Sequence, residues 1–286
     1  LLVHGLSLGI DFTGGTSWEL QFNRPVDSQQ VRTILAGHGF NDSVVQTSED
    51  NSILIRMKEL KEGSPIKAEI EDEFRSQFGD FTELQIETVG PTVGNQIRNR
   101  AILAVILASI GVLLYIAWAF RNTEQPVLYG AFAIVAMLHD VLFVLGVFSI
   151  LGWVADVEID ALFVTAVLTV MGFSVHDTIV VFDRIRENLD RRIAPTYEET
   201  VNFSVAQTVV RSLNTSLTVI LTLAALYLFG GESTRWFVFA LLIGVAAGTY
   251  SSIFNASQLL VSWRNGEIQR FFTFWRKPSD SRARAA

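Results

Sequence analysis

Apolar and polar positions alternate over residues 1–97, whereas residues 100–263 are mostly apolar. The change of pattern predicts a small mixed domain followed by membrane helices. GIDFTGGTSWEL (9–20) reads as a turn feeding a strand. Gly14 and Gly15 permit positive φ there, and Asp11 and Thr13 are placed to bond nearby backbone N–H groups. DSQQVRTILAGHG (27–39) has an Asp cap, helical spacing at Val31, Ile34 and Leu35, and Gly37 as a stop. SVVQTS and SILIRMK read as two short strands joined at EDNS (49–52). A second helix is expected over 64–79, with Ile66, Ile70, Phe74 and Phe78 on one face, and FTELQIETVG alternates as a last strand. The order β-α-β-β-α-β predicts a ferredoxin-like α+β sandwich over 17–97.

Five apolar segments follow, at about 101–120, 126–151, 161–182, 212–229 and 236–263, each near the ~20 residues that a spanning helix needs. Residues 1–16 are too short and Gly-broken to span; they read as the end of a first membrane helix and a turn. Arg121, the group Arg184, Arg186, Arg191 and Arg192, and the basic tail at 264–286 share one side of the predicted bundle. The connection at 155–160 has no basic residue and that at 230–235 only Arg235, so the first side is expected to be cytoplasmic. The 17–97 domain is then external.

Polar residues interrupt these apolar segments. His139 and Asp140 fall near the middle of the 126–151 segment, and Thr165, Thr169, His176 and Asp177 lie in the next. Arg211, Asn214, Thr215, Thr218 and Thr222 recur at helical steps and form one stripe. Gly244, Gly248, Ser252 and Ala256 recur every four residues, a smooth seam for a close neighbour. Asp177 lies five residues before Phe182, about 8 Å of helix rise. Arg211, at the start of the following apolar segment, is expected at similar depth. An ionised Asp in hydrocarbon costs about 2.5–3.5 kcal/mol by insertion scales. A carboxyl group held between hydrocarbon and a guanidinium can gain and lose a proton, as a relay requires. The same pair could instead be a static lock between helices, and Asp140 could be satisfied by a hydroxyl or backbone partner. His139 and His176 read as packing or hydrogen-bonding residues before metal ligands.

Charge sharpens the division. Residues 1–97 hold seven Lys and Arg against fifteen Asp and Glu, while 264–286 hold six against two, within a net charge of −7. The acidic domain argues against nucleic acid as a partner. There is no cysteine, which excludes disulfides and thiolate metal sites. No nucleophile–base pair, phosphate-binding loop or metal cluster appears in the sequence, so no enzyme activity is expected, and the energy source must be an ion gradient or a partner.

GIDFTGGTSWEL, HDVLFVLGVFSILG, FSVHDTIVVFDRIRENL and LYLFGG together resemble the SecF family, membrane subunits of the bacterial SecD/SecF protein-export pair. The resemblance runs from the first residues to about 263. It implies a polytopic α-helical membrane protein, half of an RND-type helix bundle, with a ferredoxin-like external domain inserted between the first and second of six membrane helices. Five of those helices are present here, consistent with a first helix upstream or with fusion to SecD. It implies the bacterial cytoplasmic (inner) membrane, with the 17–97 domain periplasmic. Expected partners are SecD, the SecYEG translocon, YajC and YidC, and unfolded preproteins. Protons are the coupling ion, and no other cofactor is implied. The family's essential membrane charges match Asp177 and Arg211, with a further Asp supplied by SecD, and Asp140 also fits a family position.

The transport reading is thus a subunit driven by the proton-motive force, with Asp177, Arg211 and Asp140 in the relay and Asn214, Thr215 and His176 in support. A scaffold without its own relay, and an RND-type exporter of lipids or small molecules, are the alternatives. The second would need a large ligand pocket in the outer domain, and ~90 residues leave little room for one.

Overall fold

The computed structural model describes residues 5–47, 51–61, 63–123, 125–268 and 270. The EDNS turn falls partly, and the basic tail mostly, outside the described residues. The chain divides into two compact units, residues 1–104 with 148–164, and residues 105–147 with 165–286.

The first unit contains a short helical turn α1 (Ile10–Thr13), then β1 (Gly15–Phe22), α2 (Ser28–Gly37), β2 (Val44–Thr47), β3 (Ser52–Met57), α3 (Pro65–Phe78) and β4 (Phe81–Val89). The sheet order is β2-β3-β1-β4 with every neighbouring pair antiparallel, which is the ferredoxin-like arrangement. One face of the sheet presents Trp18, Leu20, Phe22, Ile53 and Ile55 to Val31, Ile34 and Leu35 of α2 and to Ile70, Phe74 and Phe78 of α3. Alternation along β1 is what puts these side chains on one face. Ile66, expected on the same helical face, sits in the first turn of α3 and stays exposed. Gly37 remains helical, and it is Gly39 that takes positive φ after α2.

The glycine pair before β1 is required by space as well as by dihedral angle. Gly14 has φ +74°, and a β-carbon there would lie 2.8 Å from Pro91 Cα. Gly15 has φ +134°, and its β-carbon would lie 2.7 Å from the Met57 carbonyl oxygen. Thr13 donates to the Gly9 carbonyl at 3.1 Å. Asp11 does not bond locally as its sequence position suggests. Its Oδ2 accepts the Ala161 N–H at 2.8 Å, 150 residues away, because the turn is docked on the segment between α5 (Pro126–Val154) and α6 (Ala161–Asp190). Gly9 and Ser7 pair with Ile159 through two 2.9 Å backbone bonds, and Arg56 of β3 meets Glu158 at 2.8 Å. The connection at 155–160 is therefore fastened to the sheet domain.

Among the described residues, five helical stretches are long and apolar enough to cross a membrane: α4 (Pro91–Ala119), α5, α6, α7 (Tyr197–Phe229), and Arg235–Arg264. The last comprises α8 (Arg235–Tyr250), a π-helical turn (Ser251–Ala256) and α9 (Ser257–Arg264). Two helices run well past their apolar segments. Residues 183–211 are no long connection, since α6 continues to Asp190 and α7 begins at Tyr197. Hydropathy marks the lipid-facing length alone. The start of α7 is set by a capping box in which Thr196 Oγ1 accepts from the Glu199 N–H and the Glu199 carboxylate from the Thr196 N–H, both at 3.2 Å.

Gly14→Ala should destabilise the chain by about 2 kcal/mol, from the positive φ and the backbone collision. Gly37→Ala, with nothing within 4 Å of its β-carbon, should be neutral or stabilising by up to ~1 kcal/mol; thermal unfolding of the detergent-purified protein compares the two.

Burial pushes the Glu158 carboxyl above the usual range, outweighing the pull of Arg56. Burial also raises Asp160; the Phe163 N–H pulls against that rise and the Asp11 carboxylate adds to it. Folded values above unfolded ones mean that the stabilising effect is full below the ordinary carboxylate range, about pH 4, and is lost as pH rises through the raised values. Hydrogen-exchange protection of the Ile159 amide, corrected for intrinsic exchange, should be greater in mild acid than at neutral pH, and Glu158→Gln with Asp160→Asn should flatten the difference.

Candidate functional site

The seam on α8 decides where the buried polar groups meet. A β-carbon on Gly244 would collide with Val170 Cγ2, and one on Gly248 would fall 3.2 Å from Ser174 Cβ. Ser252 continues the seam by donating to the Ser174 carbonyl at 2.9 Å, with Thr178 Oγ1 3.0 Å from its hydroxyl. Gly244, Gly248 and Ser252 thus face Val170, Ser174 and Thr178, and four-residue steps on α8 mesh with four-residue steps on α6. Such close backbone approach is available only to small residues.

That approach brings hydroxyls to Asp140, which is fully buried. Its Oδ2 accepts from Ser174 Oγ and from Ser251 Oγ, each at 2.6 Å, and its Oδ1 lies 3.0 Å from His139 Nδ1. Distances of this size belong to strong O–H···O bonds. The π turn has a visible consequence here. Successive residues in an α-helix point about 100° apart, yet Ser251 and Ser252 are both fully buried, one bonded to Asp140 and the next to Ser174. Single π turns of this kind are frequent at functional sites.

Asp177, one turn past Ser174 on α6, is buried and has sparser company. Ser216 of α7 donates to its Oδ2 at 3.4 Å, and Thr249 Oγ1 lies 2.6 Å from Ser216 Oγ. The guanidinium expected beside it is elsewhere. Arg211 lies on the exposed face of α7 and makes no ion pair among the described residues. Asn214, Thr215, Thr218 and Thr222 are exposed with it, so the predicted stripe forms but faces away from α6. His176 is likewise exposed on α6, although adjacent to Asp177 in sequence. The physical reason is volume. The buried face of α7 is a column of small hydroxyl residues, Thr200, Ser204, Thr208, Ser212 and Ser216, which lets α7 pack closely where an arginine could not fit.

Sequence reading missed this column; it allowed Asp140 a hydroxyl partner, as found, without naming Ser174 or Ser251. A signal was present, because 200, 204, 208, 212 and 216 keep a four-residue spacing. Ser212 Oγ is buried with no hydrogen-bond partner among the described residues.

Known proteins resemble this chain. Residues 69–266 match the family model described as protein export membrane protein SecD/SecF, C-terminal, and residues 1–26 match that of the SecD/SecF GG motif. Protein translocase subunit SecF of Thermobaculum terrenum is 57% identical over 282 residues, covering 95% of this chain and 89% of that protein. The chain belongs to the SecF family. Subunit SecF of Anaerolinea thermophila is 42% identical over 98% of this chain and 92% of its own length. SecDF of Bacillus subtilis is 35% identical over 94% of this chain but only 36% of that longer protein. The crystal structure of SecDF from Thermus thermophilus, described as a translocon-associated membrane protein, superposes with a TM-score of 0.78 at 37% identity. It is matched over 91% of this chain and 34% of its own length, so this chain spans about a third of that SecDF chain. The family thus makes this a multi-pass membrane protein with the RND-type fold, and the GG motif is the Gly14–Gly15 turn.

Gly244→Ala should cost about 1–3 kcal/mol through its collision with Val170. Val170→Ala should recover most of that loss, and a double-mutant cycle on thermal unfolding measures the coupling; additive effects would show that α8 does not rest on Val170.

Proposed function

We propose that this SecF chain draws on the proton-motive force, through Asp177, to promote late steps of preprotein export together with SecD. The observation that carries the reading is the exposed polar face of α7. A membrane helix that presents Arg211, Asn214, Thr215 and Thr218 to lipid would leave a guanidinium and an amide unsatisfied in hydrocarbon. The same groups would be satisfied against a partner helix that carries a carboxylate. Relatives occur both as separate SecF subunits and as SecDF chains, which agrees with a SecD half covering that face.

In this reading Asp177 is the group that changes charge. Among the described residues it is hydrogen-bonded by the Ser216 hydroxyl alone, through a long bond, so either protonation state can be held there. Asp140, by contrast, is closely bonded by Ser174 and Ser251 and would set the register of α5, α6 and α8 around the relay. Mechanical output follows from continuity. The helix that carries Asp177 is one rod from Ala161 to Asp190, and its first N–H is held by Asp11 of the GG turn. A change of charge at Asp177 that favours a second position of α6 therefore bears on the sheet domain.

The positive-inside pattern assigns the arginine-rich loops to the cytoplasm of a bacterial inner membrane and the sheet domain to the periplasm. SecYEG, with YajC and YidC, and unfolded preproteins are the partners of this reading, which needs no catalytic chemistry and no cofactor beyond protons. The scaffold alternative requires an Asp177–Arg211 lock within the chain, and Arg211 lies on the opposite face of α7.

Asp177→Asn, produced at wild-type level, should lose most gradient-dependent stimulation of preprotein export in membrane vesicles while ATP-driven translocation continues. Full stimulation would rule out the relay. A cysteine at Thr215 should cross-link to SecD, while one at Leu107, on the largely exposed helix α4, should not.

A further inference from the structure

The arginine-rich end of the bundle holds chemistry for which proton coupling has no use. Two adjoining cavities of ≈ 600 Å³ and ≈ 690 Å³ occupy it, and both are lined by Arg192, Tyr197 and Arg264. Arg186, Tyr129 and Trp263 complete the larger one. We propose that this is a binding site for the phosphodiester headgroup of an acidic phospholipid.

Arg192 is the most informative residue. It has φ +51° and closes α6 through bonds from its own N–H to the Leu189 carbonyl and from the Ile193 N–H to the Asn188 carbonyl. That helix ending normally uses glycine, because a β-carbon disfavours the left-handed conformation. An arginine there sits against its backbone preference, and its side chain lines both cavities. The other arginines of the α6 end are engaged. Arg186 meets Asp183 at 2.6 Å, and Arg191 meets Glu187 at 2.7 Å. Among the described residues Arg192 has no ion pair. Arg264 reaches the same wall from α9, its guanidinium 4.7 Å from the centre of the Tyr197 ring.

The lining fits a lipid better than free phosphate. Among the described lining residues Arg192 and Arg264, with Arg186 already paired to Asp183, stand against one acid, Asp190. Asn122 and Gln125 offer hydrogen bonds for a polyol, while Leu128 and Leu260 give an apolar wall that an inorganic anion would not use. Tyr129 and Trp263 are side chains of the kind that gather at the headgroup level of a bilayer. A volume of several hundred Å³ suits a headgroup with the first part of its glycerol backbone. The site rests on the membrane-spanning architecture and is independent of the relay at Asp177.

The test uses the chain purified with its SecD half, placed in nanodiscs of phosphatidylethanolamine with graded phosphatidylglycerol, and retained lipid read by native mass spectrometry. Wild type should retain phosphatidylglycerol in preference to phosphatidylethanolamine, and a large excess of inorganic phosphate should not displace it. Arg192→Gln with Arg264→Gln should weaken retention roughly 30-fold, the effect of two basic contacts. Arg98→Gln with Arg100→Gln, at the other end of α4, should leave retention unchanged. Arg192→Gly separates binding from folding, since it should raise the unfolding temperature while lowering retention about fivefold. Equal retention by wild type and the Arg192/Arg264 double variant would overturn the proposal, as would an equal loss in the Arg98/Arg100 control. Displacement by inorganic phosphate alone would also overturn it, by making this a free-phosphate site.

Discussion

Two carboxyl groups, Asp140 and Asp177, are buried in the bundle with no arginine ion pair among the described residues, and much of the bundle is arranged around that cost. An unsolvated carboxyl group must find donors. Hydroxyls supply them here, and hydroxyls on short side chains reach only if the helices touch. The absence of side chains at Gly244 and Gly248 permits that contact between α8 and α6, which in turn puts Ser174, Ser251 and Ser252 within bonding distance. Close packing and polar satisfaction are one requirement seen twice. A β-carbon added to the seam would loosen the bonds around Asp140 as well as the van der Waals contact.

The two acids nevertheless receive different treatment. Asp140 has two hydroxyl donors at 2.6 Å and a neighbouring imidazole. Asp177 has one donor at 3.4 Å. The bundle thus holds Asp140 closely among hydroxyls and leaves Asp177 loosely bonded.

The sheet domain is tied to the α5–α6 connection by backbone as much as by side chains. Ser7 and Gly9 pair with Ile159, Asp11 accepts the first N–H of α6, and Arg56 reaches Glu158. Gly14 and Gly15 let the chain pass close to Pro91 and Met57 in conformations that other residues avoid. A motif that looks like a simple turn is therefore a fastening.

Local pattern was enough to read the β-α-β-β-α-β order, the five apolar spans, the small-residue seam and the presence of acids in hydrocarbon. Each depends on neighbours in sequence: alternation for strands, a four-residue step for helix faces, about 20 apolar residues for a span. Tertiary structure decided who meets whom. Asp177 lies opposite Ser216 and not Arg211, because the face of a helix that packs is chosen by what fits, and a hydroxyl column fits where a guanidinium does not. Asp11 caps a helix 150 residues away, and the π turn puts two consecutive serines to use, because both depend on the approach of distant backbone. No periodicity within a segment encodes the distance to a partner that arrives only when the chain has folded.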